Sequence, residues 1–149
     1  MAKVLILGGT GMLGGAVSQE FSGFRGRILV SSRSGQIPTL DQSVEQISFD
    51  AKTSSIGEAL GSLDRGDYVI NCIGVIKSEI DERSERSMEN ASAVNTEFPR
   101  KLAAESESRG IRVIQIATDC AFSGKTGKYS ETSPHDAVDH YGITKSLGE

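Results

Sequence analysis

A glycine-rich segment, GGTGMLGG, follows the apolar run Val4–Leu7 and opens the helix-like stretch Met12–Phe21. Glycines at such a junction let the backbone approach a pyrophosphate closely, and the free N–H groups of a helix N-terminus favour an anion there. The spacing GxxGxxG differs from the common GxGxxG but serves the same geometry. Strand, glycine segment and helix in this order predict dinucleotide binding. The expected contacts in the segment are Gly8, Thr10, Gly11, Met12, Leu13 and Gly14.

Short apolar runs alternate with helix-like segments along the rest of the chain. The further runs are Ile28–Val30, Val44–Phe49, Tyr68–Ile73 and Ile111–Ala117. They are short, rich in β-branched residues and not alternating, which predicts strands buried on both faces of a parallel sheet. The helical candidates are Met12–Phe21, Ser55–Leu63 and Ser87–Arg109, the last ended by Gly110. This alternation predicts an α/β fold: a Rossmann-type doubly wound parallel sheet of about five strands, in the order 3-2-1-4-5.

Composition excludes several classes of function. The chain has 149 residues, the size of one domain, with a net charge of -4 and no basic stripe, so nucleic acid is a poor partner. Its two cysteines show neither metal-ligand spacing nor a disulfide framework, so no metal site is expected. No segment approaches the roughly 20 apolar residues of a membrane span, and the first apolar run is too short for a signal peptide. We therefore expect a cytoplasmic protein without membrane contact.

The end of the second run bears on the choice of cofactor. NAD-specific sites usually carry an acidic residue about 20 residues beyond the glycines, where it binds the ribose hydroxyls. Here the neighbourhood is Ser31, Ser32 and Arg33, with no carboxylate to repel a 2′-phosphate and an arginine that can pair with it. NADP(H) is therefore favoured over NAD(H). Asp50, after the third run, is expected either to accept a hydrogen bond from the adenine amino group or to cap the segment that follows.

Three residues are candidates for catalysis by proton transfer. Tyr141 and Lys145 stand four residues apart, so a helix would place them on one face. An ammonium beside a phenol stabilises the phenolate, and such a phenol can exchange a proton with a carbonyl or hydroxyl oxygen while hydride moves at the neighbouring carbon. Thr118 follows the fifth run. Because the carboxyl ends of the strands face the ligand crevice in a doubly wound sheet, we expect its hydroxyl to bond the same substrate oxygen.

The order of these motifs resembles that of the extended short-chain dehydrogenase/reductases. The matching segments are GGTGMLGG, NCIG at Asn71–Gly74, AVNTEFP with Asn95, ATDCAFSG and YGITKSLGE. TDCAFSGKTGKYSE followed by YGITKSLGE is most similar to the dTDP-4-dehydrorhamnose reductase-like, sugar-nucleotide branch. The resemblance spans the entire chain.

This resemblance implies roles for individual residues. Thr118 matches the hydroxyl that orients the substrate oxygen, Tyr141 the acid/base, and Lys145 the residue that favours the phenolate and binds the nicotinamide ribose. The glycine segment matches the pyrophosphate loop. Further positions implied next to the cofactor or in the polar network of the site are Asn71, Cys72, Ile73, Gly74 and Asn95. The implied activity is NADP(H)-dependent reduction of a nucleotide-activated 4-keto-6-deoxy sugar for cell-surface polysaccharide biosynthesis.

Cys120 leaves a second chemistry open. Sugar-nucleotide dehydratases resemble Thr-Asp-Glu here, so the absence of that glutamate disfavours dehydration. A cysteine at this place resembles GDP-fucose synthase-type epimerase/reductases, in which it acts on the proton α to the ketone. The alternative interpretation is that Cys120 and Cys72 are packing residues. We place His135 and His140 in a surface loop.

Members of this family are longer and have two domains. We therefore expect residues 1–149 to be the NAD(P)-binding Rossmann domain of a longer protein, without the last strands and the substrate domain, and with little or no turnover alone. A homodimer through a helix such as Ser87–Arg109 is possible in this superfamily. A non-catalytic NADP-binding protein on the same fold is the remaining alternative.

Overall fold

The computed structural model describes residues 1–41 and 44–149, and they form two compact units. The first unit, Met1–Ile73 with Lys101–Ile116, contains one parallel sheet in the order β3-β2-β1-β4-β5, which confirms the predicted strand order. Its strands are β1 (Lys3–Leu7), β2 (Arg27–Ser32), β3 (Glu45–Ser48), β4 (Tyr68–Asn71) and β5 (Arg112–Gln115). The helices of the chain are α1 (Met12–Glu20), α2 (Ile56–Ala59), α3 (Glu85–Ser92), α4 (Phe98–Arg109) and α5 (His140–Gly148).

The centre of the sheet is the apolar core of the first unit. Leu5 of β1 lies opposite Leu29 of β2 and Val69 of β4, and all three are at most 1% exposed. Fully burying a side chain of this size stabilises a fold by about 1.5–3 kcal/mol. A second buried cluster consists of Val4, Ile6, Val30 and Ile70, on the alternate positions of these strands, together with Ile37 from the segment after β2. The apolar runs without alternation therefore mark strands covered on both faces, as predicted for β1, β2 and β4.

The outer strands depart from that prediction. In β5, Arg112 and Ile114 are exposed, whereas the alternate positions Val113 and Gln115 are half-buried. In β3 the side chains are half-buried or exposed. The prediction of burial on both faces is wrong for these two strands because each pairs with a single neighbouring strand in the sheet and is covered less completely.

The helices are shorter or more divided than predicted. Ser55–Leu63 contains only one helical turn, α2, whose N-terminus is capped because the Ser55 hydroxyl accepts a hydrogen bond from Glu58 N. The predicted helix Ser87–Arg109 begins earlier, at Glu85, and is interrupted by a π turn at Ala93–Glu97. Gly110 follows α4 with a φ of +69°, so this glycine ends the helix as predicted.

Pro99 explains the π turn. A proline inside a helix lacks the N–H that would bond the carbonyl four residues earlier, and its ring crowds that carbonyl. The carbonyl concerned here is that of Asn95, at the centre of the π turn. The helical path therefore widens over Ala93–Glu97 before α4 continues.

The second unit comprises Gly74–Arg100 and Ala117–Glu149. It contains α3, the π turn and α5, together with a short 3₁₀ turn at Asp119–Ala121. In the described ranges 1–41 and 44–149, no helix combines the length and apolarity that crossing a bilayer requires.

Candidate functional site

The glycine segment forms a tight turn between β1 and α1. Gly8 has a φ of +87°, a left-handed conformation that side chains disfavour. A Cβ on Gly14 would lie 2.2 Å from the carbonyl oxygen of Gly8, so only glycine lets α1 start this close to the turn. The two glycines therefore have different tasks, one in the turn itself and one in the packing of helix on turn.

Ser31 fixes the turn from the neighbouring strand. Its hydroxyl accepts a hydrogen bond from Gly8 N at 3.1 Å, and its carbonyl accepts one from Gly9 N at 2.8 Å. The residue is completely buried. The sequence signal for this role is a serine at the end of a buried strand, where an apolar residue would be usual.

The N-terminus of α1 fits an anionic group. Gly11 is the N-cap residue and provides no side-chain cap, and the first turn carries no acidic residue. Thr10, Gly11 and the first two residues of α1, Met12 and Leu13, are all exposed. A Cβ on Gly11 would meet Gly8 O at 3.3 Å, a tight contact with the glycine turn. An exposed helix N-terminus with this loop has the shape and charge preference of a pyrophosphate site.

Of the residues after β2 and β3 that were predicted to contact the cofactor, some form hydrogen bonds within the protein and others are exposed. The Ser32 hydroxyl is buried and donates to Gln36 O at 3.2 Å, whereas Arg33 is exposed. One carboxylate oxygen of Asp50 accepts from Lys52 N at 2.8 Å, and Asp50 O accepts from Ser54 N. The structure therefore shows the expected cap of the following segment, and a hydrogen bond from the adenine amino group to Asp50 stays a prediction.

The end of β4 is held by a buried amide. Asn71 Nδ2 donates to Gln115 Oε1 at 2.8 Å, and Asn71 Oδ1 accepts from Ile73 N at 3.1 Å. Cys72 packs against the second core cluster, and burial raises the pKa of its thiol. This supports the interpretation of Cys72 as a packing residue. A Cβ on Gly8 would meet Ile73 Cγ1 at 3.0 Å, so this segment lies directly beside the glycine turn.

In the second unit, α5 carries the tyrosine and the lysine. Asp139 caps the helix by accepting a hydrogen bond from Gly142 N at 2.8 Å, and it pairs with Lys77 at 2.8 Å. The Gly142 N–H first, and the Lys77 ammonium second, lower the pKa of Asp139. Tyr141 is half-buried. Lys145 is only 7% exposed, and this burial lowers the pKa of its ammonium.

Thr118 lies on the turn that packs against α5. Its hydroxyl caps the 3₁₀ turn by accepting from Cys120 N at 3.3 Å, and Thr118 is half-buried. A Cβ on Gly142, the residue after Tyr141, would lie 2.2 Å from Cys120 O. The structure therefore brings together the turn that carries Thr118 and the helix that carries Tyr141. That both hydroxyls reach one substrate oxygen stays a prediction.

Cys120 lies on the turn that packs against α5. It is half-buried, and its thiol contacts Asp119 Oδ1 at 3.7 Å. The pKa of Lys77 is raised, mainly by its hydrogen bond and ion pair with Asp139 and to a lesser extent by Cys120. α5 contacts the backbone of this turn at Gly142, and Cys120 belongs to the same half-buried class as Cys72, so its assignment either to packing or to chemistry stays a prediction.

Asn95 organises a polar network in the second unit. Asn95 Oδ1 accepts from Val75 N at 2.8 Å, and Nδ2 donates to Val75 O at 2.9 Å. Asn95 is 2% exposed. A Cβ on Gly74 would lie 3.5 Å from Asn95 Oδ1. The resemblance implied a supporting role for Asn95, and the contacts are those of such a residue.

The two histidines occupy different environments. The prediction of a surface loop is wrong for His140, which is the first residue of α5 and is half-buried. Its Nε2 packs against α3, where it contacts Met88 O at 2.9 Å and Ser92 Oγ at 3.2 Å. His135 does lie in an exposed segment, where Nδ1 contacts Ser146 Oγ at 2.7 Å. In the part of the chain that the structure describes, no group of three His, Cys, Asp or Glu residues could hold a metal ion.

Comparison with known proteins places the chain in a family. A family model described as the RmlD substrate-binding domain matches residues 2–149. The chain belongs to the RmlD substrate-binding domain family. This membership confirms the resemblance to the dTDP-4-dehydrorhamnose reductase-like branch of the extended short-chain dehydrogenase/reductases.

Among the relatives of this chain, two are named as reductases and one as a subunit of methionine adenosyltransferase. The chain is 33% identical to a probable low-salt glycan biosynthesis reductase, Agl14, of Haloferax volcanii and 31% identical to a dTDP-4-dehydrorhamnose reductase of Streptomyces griseus, in each case over 97% of this chain. It is 28% identical, over 99% of its length, to methionine adenosyltransferase 2 subunit beta of Xenopus tropicalis. These alignments cover 46%, 43% and 41% of the relatives, so the chain spans less than half of their length.

Solved structures in the family share the fold. A dTDP-4-dehydrorhamnose reductase of Bacillus anthracis, in complex with NADP, matches 99% of this chain and 48% of its own, with a TM-score of 0.79 and 22% identity. A likeness at this identity shows the fold alone, and it agrees with the Rossmann-type sheet described above.

Proposed function

We propose that the protein acts in the NADP(H)-dependent reduction of a nucleotide-activated 4-keto-6-deoxy sugar for polysaccharide or glycan biosynthesis. The observation that carries this proposal is α5, which presents Tyr141 and a buried Lys145 one turn apart and packs at Gly142 against the turn that carries Thr118. Membership of the RmlD family and the names of two relatives, both reductases, support it.

Each residue has a distinct task in this proposal. The glycine turn and the uncapped N-terminus of α1 bind the pyrophosphate of the dinucleotide. A bound nicotinamide would supply the hydride. Thr118 donates a hydrogen bond to the keto oxygen, and Tyr141 gives that oxygen a proton. Lys145 contributes a positive charge on the same helix face and binds the nicotinamide ribose.

The preference for NADP(H) depends on Arg33. It is exposed at the end of β2, and the nearby hydroxyls of Ser32 and Ser34 bond to the backbone at Gln36. A guanidinium here pairs with a 2′-phosphate, which NAD(H) lacks. The test is the affinity for NADPH and NADH in the wild type and in Arg33→Ala. We expect NADPH to bind more tightly than NADH, and the variant to lose affinity for NADPH alone. Equal losses for both would refute this assignment.

Reduction itself is tested by NADPH oxidation with dTDP-, GDP- and UDP-activated 4-keto-6-deoxy sugars. We expect turnover by the protein that carries this sequence, and a fall in kcat of at least about 100-fold in Tyr141→Phe, because general acid catalysis typically contributes 10²–10⁴-fold. Ser146→Ala is the control on the same helix. A wild-type protein that binds NADPH but oxidises it with none of these sugars would contradict the proposal.

The position of Cys120 supports a second candidate, an epimerase/reductase. Cys120 is half-buried on the turn that Thr118 caps, and the Lys77 ammonium interacts with it electrostatically. Such an enzyme exchanges the proton at a carbon α to the ketone before reduction. Solvent deuterium would then enter C3 or C5 of the sugar, and Cys120→Ser would abolish its entry but not the reduction. Reduction without any deuterium at these carbons would exclude the candidate.

A third candidate is a non-catalytic NADP-binding protein. One relative is named as a subunit of methionine adenosyltransferase and not as a reductase. If it holds, Tyr141→Phe leaves the biological function of the protein undiminished, whereas a reductase loses it. Homodimer formation also stays a prediction, which the molecular mass in solution tests.

A further inference from the structure

A buried threonine lies between the two proposed catalytic residues of α5. Thr144 is 2% exposed, and its hydroxyl donates to Tyr141 O at 3.0 Å and accepts from Asn95 Nδ2 at 3.3 Å. Its own carbonyl accepts from the hydroxyl of Thr96 at 2.7 Å. Thr144 therefore connects the backbone that carries Tyr141 with two residues of the π turn.

Every hydrogen bond in this network pairs one donor with one acceptor. A threonine hydroxyl has one hydrogen, which goes to Tyr141 O, and a lone pair, which accepts from Asn95. The amide of Asn95 has two hydrogens, one for Thr144 and one for Val75 O, while its oxygen accepts from Val75 N. One continuous path thus runs from the backbone of Val75 through Asn95 and Thr144 to Tyr141.

The same face of α5 is in close contact with the π turn at its other end. A Cβ on Gly148 would lie 2.0 Å from Asn95 O, a carbonyl of the π turn. Gly148 therefore permits α5 to lie against this carbonyl. Contact at Gly148 sets the distance between the helix and the π turn and limits how far α5 can turn, because a side chain would not fit there. The directional hydrogen bonds of Thr144 then hold α5 in one rotational position.

We propose that Thr144 is a positioning residue for Tyr141 and Lys145: it fixes the rotation of α5 by joining Tyr141 O to the Asn95 network. This inference rests on the proposed reduction. Without the hydroxyl, Asn95 Nδ2 loses an acceptor inside the unit and Tyr141 O loses a donor. The helix then gains rotational freedom, and the phenol and the ammonium lose their common orientation.

The test compares Thr144→Val, which removes the hydroxyl but keeps the branched shape, with Thr144→Ser, which keeps the hydroxyl. Ser146→Ala removes a hydroxyl on the same helix outside the network. We expect Thr144→Val to lower kcat at least tenfold, to change KM for the sugar less than threefold and to shift the pH profile of kcat. Thr144→Ser should restore both kcat and the profile, and Ser146→Ala should resemble the wild type.

The inference is overturned if Thr144→Val keeps kcat within twofold of the wild type, or if Thr144→Ser is as slow as Thr144→Val. If Thr144→Val does not fold, Thr144→Ala is judged by the same criteria. Amide hydrogen exchange separates this inference from the proposed function. If the wild type reduces no sugar, the proposed function fails, but exchange in α5 should still be at least tenfold faster in Thr144→Val than in Ser146→Ala. Equal exchange rates would overturn the inference by themselves.

Discussion

Replacing Gly14 by alanine should destabilise the fold, whereas the same change one residue later should stabilise it. A Cβ at position 14 would lie 2.2 Å from Gly8 O and 2.7 Å from Gly8 C. Both neighbours are backbone atoms of a turn that Ser31 holds, so α1 or the turn must move by about 1 Å to restore ordinary contact. Forcing extra atoms into a packed site typically costs about 1–3 kcal/mol.

Gly15 is the matched control for this prediction. A Cβ there would lie 3.5 Å from Gly9 O, which is ordinary van der Waals contact. Gly15→Ala should therefore gain most of the roughly 0.5–1 kcal/mol by which alanine is favoured over glycine in a helix. The two variants should differ by about 1.5–4 kcal/mol in the free energy of unfolding, with Gly14→Ala the less stable.

Urea denaturation followed by far-UV circular dichroism, without nucleotide, measures this difference at constant m-value. A gap under about 0.5 kcal/mol, or a more stable Gly14→Ala, would refute the conclusion that α1 starts in direct contact with the glycine turn.

Three further predictions concern hydrogen bonds that hold these elements. Ser31→Ala should lower the free energy of unfolding by about 1–3 kcal/mol, because Gly8 N loses its buried acceptor; an unchanged urea midpoint would contradict this. Asp139→Ala should cost about 1 kcal/mol through loss of the α5 cap, and Asp139→Asn less, since an amide oxygen can still accept from Gly142; equal losses would contradict it. The pKa of Asp139 is lowered in the folded protein, so its charged form stabilises the fold. This contribution is complete above the ordinary carboxyl pKa of about 3.9, and it is lost as the pH falls through the lowered pKa of Asp139 in the folded protein. The stability difference between wild type and Asp139→Asn should therefore shrink in urea titrations at successively lower pH; a constant difference would show that the charge has no role.

The fold was predictable because its strongest signals are local. The glycine segment directly follows an apolar run and opens a helix, and this order alone indicates the β1–α1 junction. The central strands show no alternation because both faces are covered, and that pattern is visible without knowing what covers them. The partial exposure of β5 could not be predicted in this way, because it depends on the position of the strand in the sheet.

The details of the candidate site depend on contacts between distant residues. Pro99 was visible in the sequence and marks the π turn, but where the carbonyl of Asn95 lies depends on how Gly148 packs against it. The close approach of α5 to Cys120 O likewise depends on Gly142, far along the chain. Periodicity placed Tyr141 and Lys145 on one helix face, but it could not indicate that Thr144 between them belongs to a buried network.

The account depends most on the glycine turn binding a nicotinamide dinucleotide, and calorimetric titration of NADPH into the wild type, Gly11→Ala and Gly15→Ala tests this directly. At position 11 a Cβ would meet Gly8 O at 3.3 Å, a tight contact that a shift of a few tenths of an ångström relieves. The fold should therefore tolerate alanine far better than at position 14, while the methyl group occupies space beside the N-terminus of α1. We expect saturable binding by the wild type and unchanged binding by Gly15→Ala. In Gly11→Ala, binding should be at least tenfold weaker, which corresponds to a loss of about 1.4 kcal/mol in binding free energy. Equal affinity in all three proteins, or no binding by the folded wild type, would contradict the account.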